Sequence, residues 1–390
     1  MGSVGLLPCF VVAHFFHHLL TALPIPLLPL IRSDYSLDYT LSGWVVSAFN
    51  LAYGIGQLPA GWLADRIGPR IIITVGICGV AVAGLFVGLS QSFGMLLFFL
   101  ALMGFLGGGY HPASPPLIAS LVEGKSRGRA LGLHVIGGGA SYFLAPLIGT
   151  AIAVYWGWRG SFIWLAVPTV VFGLLFYLFL GRHGNAQAAS GEVSSFPPPP
   201  DVPGEYSTRN LAIFIFLSTF TGAVIFATIS FIPLFLVDHF GFAKERAGAF
   251  FALIYSAGLW VSPIGGYLSD RWGRIPLILG VCFFAGPVIF ALPFAPGQWG
   301  VLTLLLLIGV IIYVRMPVSE SYIIRHTSPR NRSTILGLYF FGSMEGGGIL
   351  TPVSGYLIDH YGFAVSFTIS GALLLAVTFV CAFLLRGSRD

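Results

Sequence analysis

Apolar runs of about 20 residues follow one another along nearly the whole chain, and a helix of that length crosses about 30 Å of hydrocarbon with its backbone hydrogen bonds satisfied internally. A membrane barrel would alternate polar and apolar residues, and these segments do not. Of 390 residues, 56% are hydrophobic and only 8% charged, against about 25% charged in an ordinary soluble domain. The chain is therefore read as an all-α integral membrane protein. Its first apolar run is long, rich in histidine and proline and without a basic leader, so it reads as a spanning helix rather than a cleaved signal. Cys9, Cys78, Cys282 and Cys381 each stand alone in an apolar segment and form no redox or metal-like spacing.

Charged and turn-forming clusters divide the apolar sequence into spans near 8–31, 40–63, 70–90, 94–120, 128–155 and 159–181, then 209–237, 246–268, 275–294, 299–324, 333–357 and 363–386. Between the sixth and seventh lies 182–208, whose Ser, Gly and proline run cannot bury a core and reads as a linker. The expected organisation is a six-helix bundle over 1–181, a linker over 182–208 and a second bundle over 209–390. Counting spans from an inside N-terminus puts fourteen Arg and Lys on one side and four, Arg32, Arg159, Lys244 and Arg246, on the other. The positive-inside rule then places both termini and the linker in the cytoplasm of a plasma (inner) membrane.

The two halves repeat each other. "GWLADRIGPR" at 61 matches "GYLSDRWGRI" at 266, with Gly, Leu, Asp, Arg and Gly at a constant offset of 205, and Gly43 matches Gly248 at the same offset. "LGLHVIGGGASYFLAPLIG" at 131 echoes "LGLYFFGSMEGGGILTPVSG" at 336 with one inserted residue. Such duplication fits two bundles related by an axis along the membrane normal.

The charged loop has a physical reading of its own. Gly61 permits close helix approach, Gly68 a tight or left-handed turn, and Asp65 suits a neighbouring helix N-terminus, whose dipole favours an anion. Arg66 and Arg70 face anionic headgroups or tie cytoplasmic helix ends together. The plainer alternative is that these charges only fix topology and end the second span. Gly266, Asp270, Arg271, Gly273 and Arg274 form the second copy.

Twelve spans, a central cytoplasmic loop and G-x-L-A-D-R-x-G-x-R between spans 2 and 3 resemble the major facilitator superfamily over the entire chain. That resemblance implies two pseudo-symmetric six-helix bundles, with the charged loop acting as a cytoplasmic latch that stabilises the outward-open state. The fifth span departs from the family's antiporter pattern, carrying "LAPLIG" around Pro146, and the eleventh carries "LTPVSG" around Pro352; both prolines are expected to bend their helices. "GFLGGGYHPASPP" at 104–116, with Pro112, is expected to open the fourth span toward a cavity. Where the family often has an Arg four residues before the first of these glycines, this chain has Leu100, so no coupling role transfers there. "HPAS", "RGRALG" and "AHFFHHLLTALPIPLLPLIRSDYSL" are most similar to the fosmidomycin-resistance type of efflux protein.

Polar residues at membrane depth mark a pathway or a buried pair. In the second half these are Arg315 and Glu320 in the tenth span and Glu345 in the eleventh. An anionic substrate group is the natural partner of Arg315, with Glu345 or Glu320 as rivals. Glu320 can also reach the cytoplasmic interface, and Glu345 is the best-placed proton carrier or, alternatively, a structural partner of Arg315. The first half has no acid at depth but carries His14, His17 and His18 on one helical face and His111 beside Tyr110. Cavity-lining hydrogen bonding is the first reading of these histidines and proton coupling the second. Metal binding comes last, because no carboxylate or thiol accompanies them at depth; no metal site and no cofactor are assigned. Asn50 and Tyr339 complete the candidate pathway.

The expected function is a secondary active transporter working by alternating access: proton-coupled efflux of a small anionic or amphiphilic compound. The alternative is uptake or exchange of a small organic or inorganic anion, and transition-metal transport is third. Expected partners are the small-molecule substrate, protons and the lipid bilayer, with no nucleic acid, and the protein is expected to be a monomer. An enzyme is not expected, since neither HExxH nor GxSxG occurs.

Overall fold

The computed structural model describes residues 6–122, 127–188, 208–328 and 332–388. Among them the regular structure is helical, without strands: α1 Leu7–Thr21, α2 Leu28–Tyr35, α3 Tyr39–Ile67, α4 Pro69–Gly88, α5 Phe93–Gly107, α6 Tyr110–Ser120, α7 Arg127–Ala188, α8 Thr208–Ser230, α9 Ile232–Asp238, α10 Lys244–Ser256, α11 Val261–Trp272, α12 Arg274–Ala291, α13 Gly297–Arg325 and α14 Arg332–Leu384. Seven described stretches are long and apolar enough to cross a membrane. Two of these, in α7 and α14, are double helices broken at Gly157 and Gly362. The remaining expected spans are helical too but shorter, interrupted or more polar: α1 with α2, α3, and α10 with α11. Large apolar side chains such as Phe98, Leu175, Phe284 and Phe383 are exposed, as a lipid-facing surface requires.

Sequence chemistry explains the breaks. Pro24 and Pro26 separate α1 from α2, the Gly107–Gly109 run separates α5 from α6, and a 3₁₀ turn at Ala257–Leu259 interrupts α10 and α11. Gly68 at φ +94° ends α3 and Gly273 at φ +85° ends α11, while Gly157 and Gly362 lie at φ +66° and +78°. Positive φ of this kind is costly for residues with a Cβ. Both pairs obey the 205-residue offset found in the sequence, so the repeat is carried by the backbone as well as by side chains. A third pair fixes helix crossings. A Cβ at Gly104 would lie 2.2 Å from the Phe49 carbonyl oxygen, and one at Gly309 would lie 2.1 Å from that of Ile254. Phe49 and Ile254 are themselves 205 residues apart.

The chain resolves into two compact units. Of the described residues, unit 1 comprises 6–37, 44–122, 127–188 and 243–252; unit 2 comprises 38–43, 208–242, 253–328 and 332–388. In unit 1, α4 and α7 pack around Ile73, Ile77, Tyr110, Phe10 and Phe176, and Arg159 binds Asp34 and the Tyr35 hydroxyl. Unit 2 packs Phe214, Ile278, Cys282, Val318 and Tyr322 into an equivalent core. Within unit 2 the Asp359 carboxylate accepts hydrogen bonds from the backbone N–H groups of Tyr39 and Thr40, each 2.8 Å, and from the Thr40 hydroxyl at 2.6 Å. This satisfies orphan donors in the first turn of α3.

Candidate functional site

Among the described residues, each unit buries a polar cluster. In unit 1, α1 presents His14, His17 and His18 at helical spacing, α6 adds Tyr110 and His111, α3 adds Tyr53, and α7 adds His134. His17 is completely buried: its Nδ1 donates to the Gly76 carbonyl at 3.3 Å and its Nε2 accepts from the Tyr53 hydroxyl at 3.0 Å. His134 is likewise engaged, Nδ1 against the Phe10 carbonyl at 3.1 Å and Nε2 toward the Ser114 hydroxyl at 3.5 Å. His14 stacks on His134 with ring centroids 4.2 Å apart, and His17 stacks on Tyr110 at 4.3 Å. His18 Nε2 and His111 Nε2 face each other at 3.2 Å. Tyr142 lies against His18, centroids 4.8 Å apart.

Asn50 does not join this cluster by hydrogen bonding in the same way; its amide donates to the Val46 carbonyl of its own helix at 2.9 Å. Pro112 sits in the first turn of α6, just beyond the glycine break. Pro146 and Pro352 lie inside α7 and α14, but the non-helical backbone in those helices falls at Gly157 and Gly362 instead.

Unit 2 centres on Arg315, 6% exposed on α13. Its Nη1 donates to the Ser218 carbonyl at 2.7 Å, the Ser218 hydroxyl at 2.9 Å and the Tyr339 hydroxyl at 3.3 Å. Ser319 shares a 2.7 Å hydrogen bond with Ser218. Arg315 Nε is buried without a partner, and so is Glu345 Oε1. Among the described residues no ion pair joins Arg315 to Glu345 or to Glu320. Glu320 is half-buried one turn beyond Arg315. Gly222 leaves room for the guanidinium, since a Cβ there would lie 2.9 Å from Nη2.

The loop motif stands apart from both clusters. Asp65 is exposed and makes no hydrogen bond or ion pair among the described residues. Arg66 lies over the Trp62 ring at 4.0 Å, and Arg70 donates from Nε to the Tyr177 carbonyl at 2.9 Å while lying 3.7 Å over that residue's ring. A Cβ at Gly61 would meet Pro112 at an ordinary 3.6 Å, so the close approach expected there is not tight. In the second copy, Arg271 is exposed and Arg274 donates to the Ser321 hydroxyl at 2.9 Å. The surroundings of Gly266 and the side chain of Asp270 lie outside what the structure describes.

Residues 10–315 match the model of the Major Facilitator Superfamily. The chain belongs to this superfamily. Among curated relatives, this facilitator is 26% identical to the fosmidomycin resistance protein of Escherichia coli K12, over 96% of this chain and 91% of that one. It is also 26% identical to the probable sulfoacetate transporter SauU of Cupriavidus necator, over 93% and 90% of the two chains. A solved bacterial homologue of the human lysosomal transporter Spinster, inward-facing and occupied, superposes with a TM-score of 0.79 at 18% identity, covering 98% of this chain and 95% of that one. The protein is a multi-pass membrane transporter with the facilitator fold and drug-resistance-type relatives.

Sequence reasoning missed Ser114, His134, Ser218 and Ser319. The 205-residue offset could have found three of them, because it pairs Tyr110, Ser114 and His134 with Arg315, Ser319 and Tyr339.

Proposed function

We propose that this transporter works by alternating access as a proton-coupled exporter of a small anionic or amphiphilic compound, with Arg315 receiving the anionic group. The observation that carries this reading is a buried guanidinium held by neutral oxygens, with Nε unpartnered and no carboxylate paired to it among the described residues. A permanent cation buried at membrane depth is costly unless an anion completes its site, and a planar fork suits a carboxylate, sulfonate or phosphonate. Glu345, 8% exposed with Oε1 unpartnered, is the group assigned to carry the proton. The resistance named for one relative favours export. The sulfoacetate named for another supports uptake or exchange of a small anion as the second reading. Both termini and the linker face the cytoplasm in this reading, the bundles are 1–181 and 209–390, the protein acts as a monomer, and Asp65 serves the cytoplasmic latch.

The test is transport in proteoliposomes with fosmidomycin and sulfoacetate as probes under an imposed pH gradient. Wild type should accumulate at least one probe against its gradient, Arg315→Met should lose transport, and Glu345→Gln should keep counterflow but lose response to the pH gradient. Transport by Arg315→Met at the wild-type rate would overturn the anion site, and a pH-responsive Glu345→Gln would overturn the proton assignment.

A further inference from the structure

We propose that His14, His18 and His111 form a binding site for one divalent late transition-metal ion, such as Zn(II) or Co(II), within unit 1. Each of the three rings offers a nitrogen within 4.8 Å of the other two. Such a set draws on two helices, α1 and α6, and the sequence alone shows only the two members on α1 sharing a face.

The hydrogen bonds around the cluster separate ligands from supports. His14 Nδ1 donates to the His134 carbonyl at 2.9 Å, which leaves its lone pair on Nε2, a buried atom with no partner. The Thr21 hydroxyl donates to the His18 carbonyl at 3.3 Å, so its oxygen is free to accept from His18 Nδ1 at 3.1 Å. The His18 lone pair is then also on Nε2. Fixing Nδ1–H by a carbonyl or hydroxyl acceptor is the arrangement that orients metal-bound imidazoles and raises their basicity. His17 and His134, by contrast, use both ring nitrogens in hydrogen bonds within the protein. They are supports.

The spacing also fits. A tetrahedral ion with bonds of about 2.0–2.1 Å separates neighbouring ligand nitrogens by about 3.4 Å, and His18 Nε2 and His111 Nε2 are 3.2 Å apart. His111 needs only to carry its proton on Nδ1 for both lone pairs to face the ion. The His14 nitrogen, within 4.8 Å of the other two, closes the third edge by a shift of up to about 1.4 Å. Imidazole nitrogens select zinc, copper, cobalt and nickel over the hard cations magnesium and calcium. Three neutral ligands leave a fourth position for water or an anion, which also offsets the ion's charge at depth.

The experiment uses the purified full chain in detergent, stripped with chelator and titrated with Co(II) while visible absorption is recorded. Wild type should take up one equivalent with the intense bands of a four- or five-coordinate nitrogen site, and Zn(II) should bleach them. His18→Gln and His111→Gln should bind at least tenfold more weakly, whereas His17→Gln should keep the spectrum. Zinc K-edge absorption of the unmutated protein counts the imidazoles directly, so the proposal stands or falls even where a variant fails to fold. Three histidine ligands support it. A weak octahedral Co(II) spectrum, one or no imidazole at the zinc edge, or unchanged binding in folded His18→Gln and His111→Gln overturns it. Probe transport through the Arg315 site is read separately, so either reading can fail alone.

Discussion

In unit 1 the 205-residue repeat puts Tyr110, Ser114 and His134 where unit 2 has Arg315, Ser319 and Tyr339. The serines are fully buried in both units. In both, the α7 or α14 member of the set reaches back toward the first helix of its own unit: His134 donates to the Phe10 carbonyl, and the Tyr339 hydroxyl pairs with Ser218 on α8. What differs is the anchor. Unit 2 has a permanently charged guanidinium whose hydrogen bonds go to neutral oxygens, and unit 1 has a stacked tyrosine surrounded by imidazoles. Arginine can only donate, whereas each imidazole donates at one nitrogen and accepts at the other. The duplication therefore preserved a backbone frame and a serine while the surrounding side chains diverged, to a guanidinium held by oxygens in unit 2 and to a set of imidazoles in unit 1.

The frame itself is open to the harshest test. Gly104→Ala and Gly309→Ala each drive a methyl into a carbonyl oxygen of the neighbouring helix, and both should destabilise at or above the upper end of the range of about 1–3 kcal/mol for overpacking. The readout is the melting temperature and folded yield in detergent. Similar losses in the two variants support the structural equivalence of the units; tolerance of either one breaks it.

Next in size is Tyr53→Phe, which removes the donor to His17 Nε2 and leaves a fully buried acceptor unsatisfied. The expected cost is about 1–3 kcal/mol, seen as a melting temperature lower by a few degrees, with anion binding unchanged because Tyr53 belongs to unit 1. Loss of anion binding with unchanged stability would merge the two clusters functionally and dissolve the contrast drawn above.

Tyr339→Phe and His134→Phe sharpen the contrast from the other side. Removing the Tyr339 hydroxyl frees one oxygen contact of Arg315 Nη1 and should raise the KM for an anionic probe roughly tenfold, the equivalent of about 1.4 kcal/mol, with little change in melting temperature. His134→Phe, at the matching position, should leave that KM within about twofold. Equal effects at both positions would show that the units share one substrate chemistry.

Much of this was legible in the sequence. Apolar length gave the helices, the charged repeat gave the duplication, and Arg315 and the α1 histidines gave a residue in each cluster, because a polar group at membrane depth is conspicuous. The partners were harder to see. Ser218 and Ser319 are small and common in spanning helices, and His134 sits among residues whose partner, α1, becomes evident only once Gly137 and Gly138 bring the two helices together; a Cβ at Gly137 would lie 2.0 Å from the Val11 carbonyl oxygen. The absence of an ion pair between Arg315 and Glu345 is also a matter of geometry, since side-chain direction on two helices cannot be read from spacing alone.

The smallest effects separate two glycines of the same loop motif. Gly68 sits at φ +94° with open space around its Cβ position, as Gly273 does at φ +85° with only Pro276 nearby. Gly68→Ala and Gly273→Ala should therefore each cost about 1 kcal/mol or slightly more from backbone strain alone, visible as a small drop in melting temperature. Gly61, with helical backbone and an ordinary 3.6 Å to Pro112, should accept alanine within about 0.5 kcal/mol. Unchanged transport in Gly61→Ala then means that this glycine serves neither packing nor movement. Slowed transport at unchanged stability means that α3 and α6 must approach more closely at another stage of the cycle.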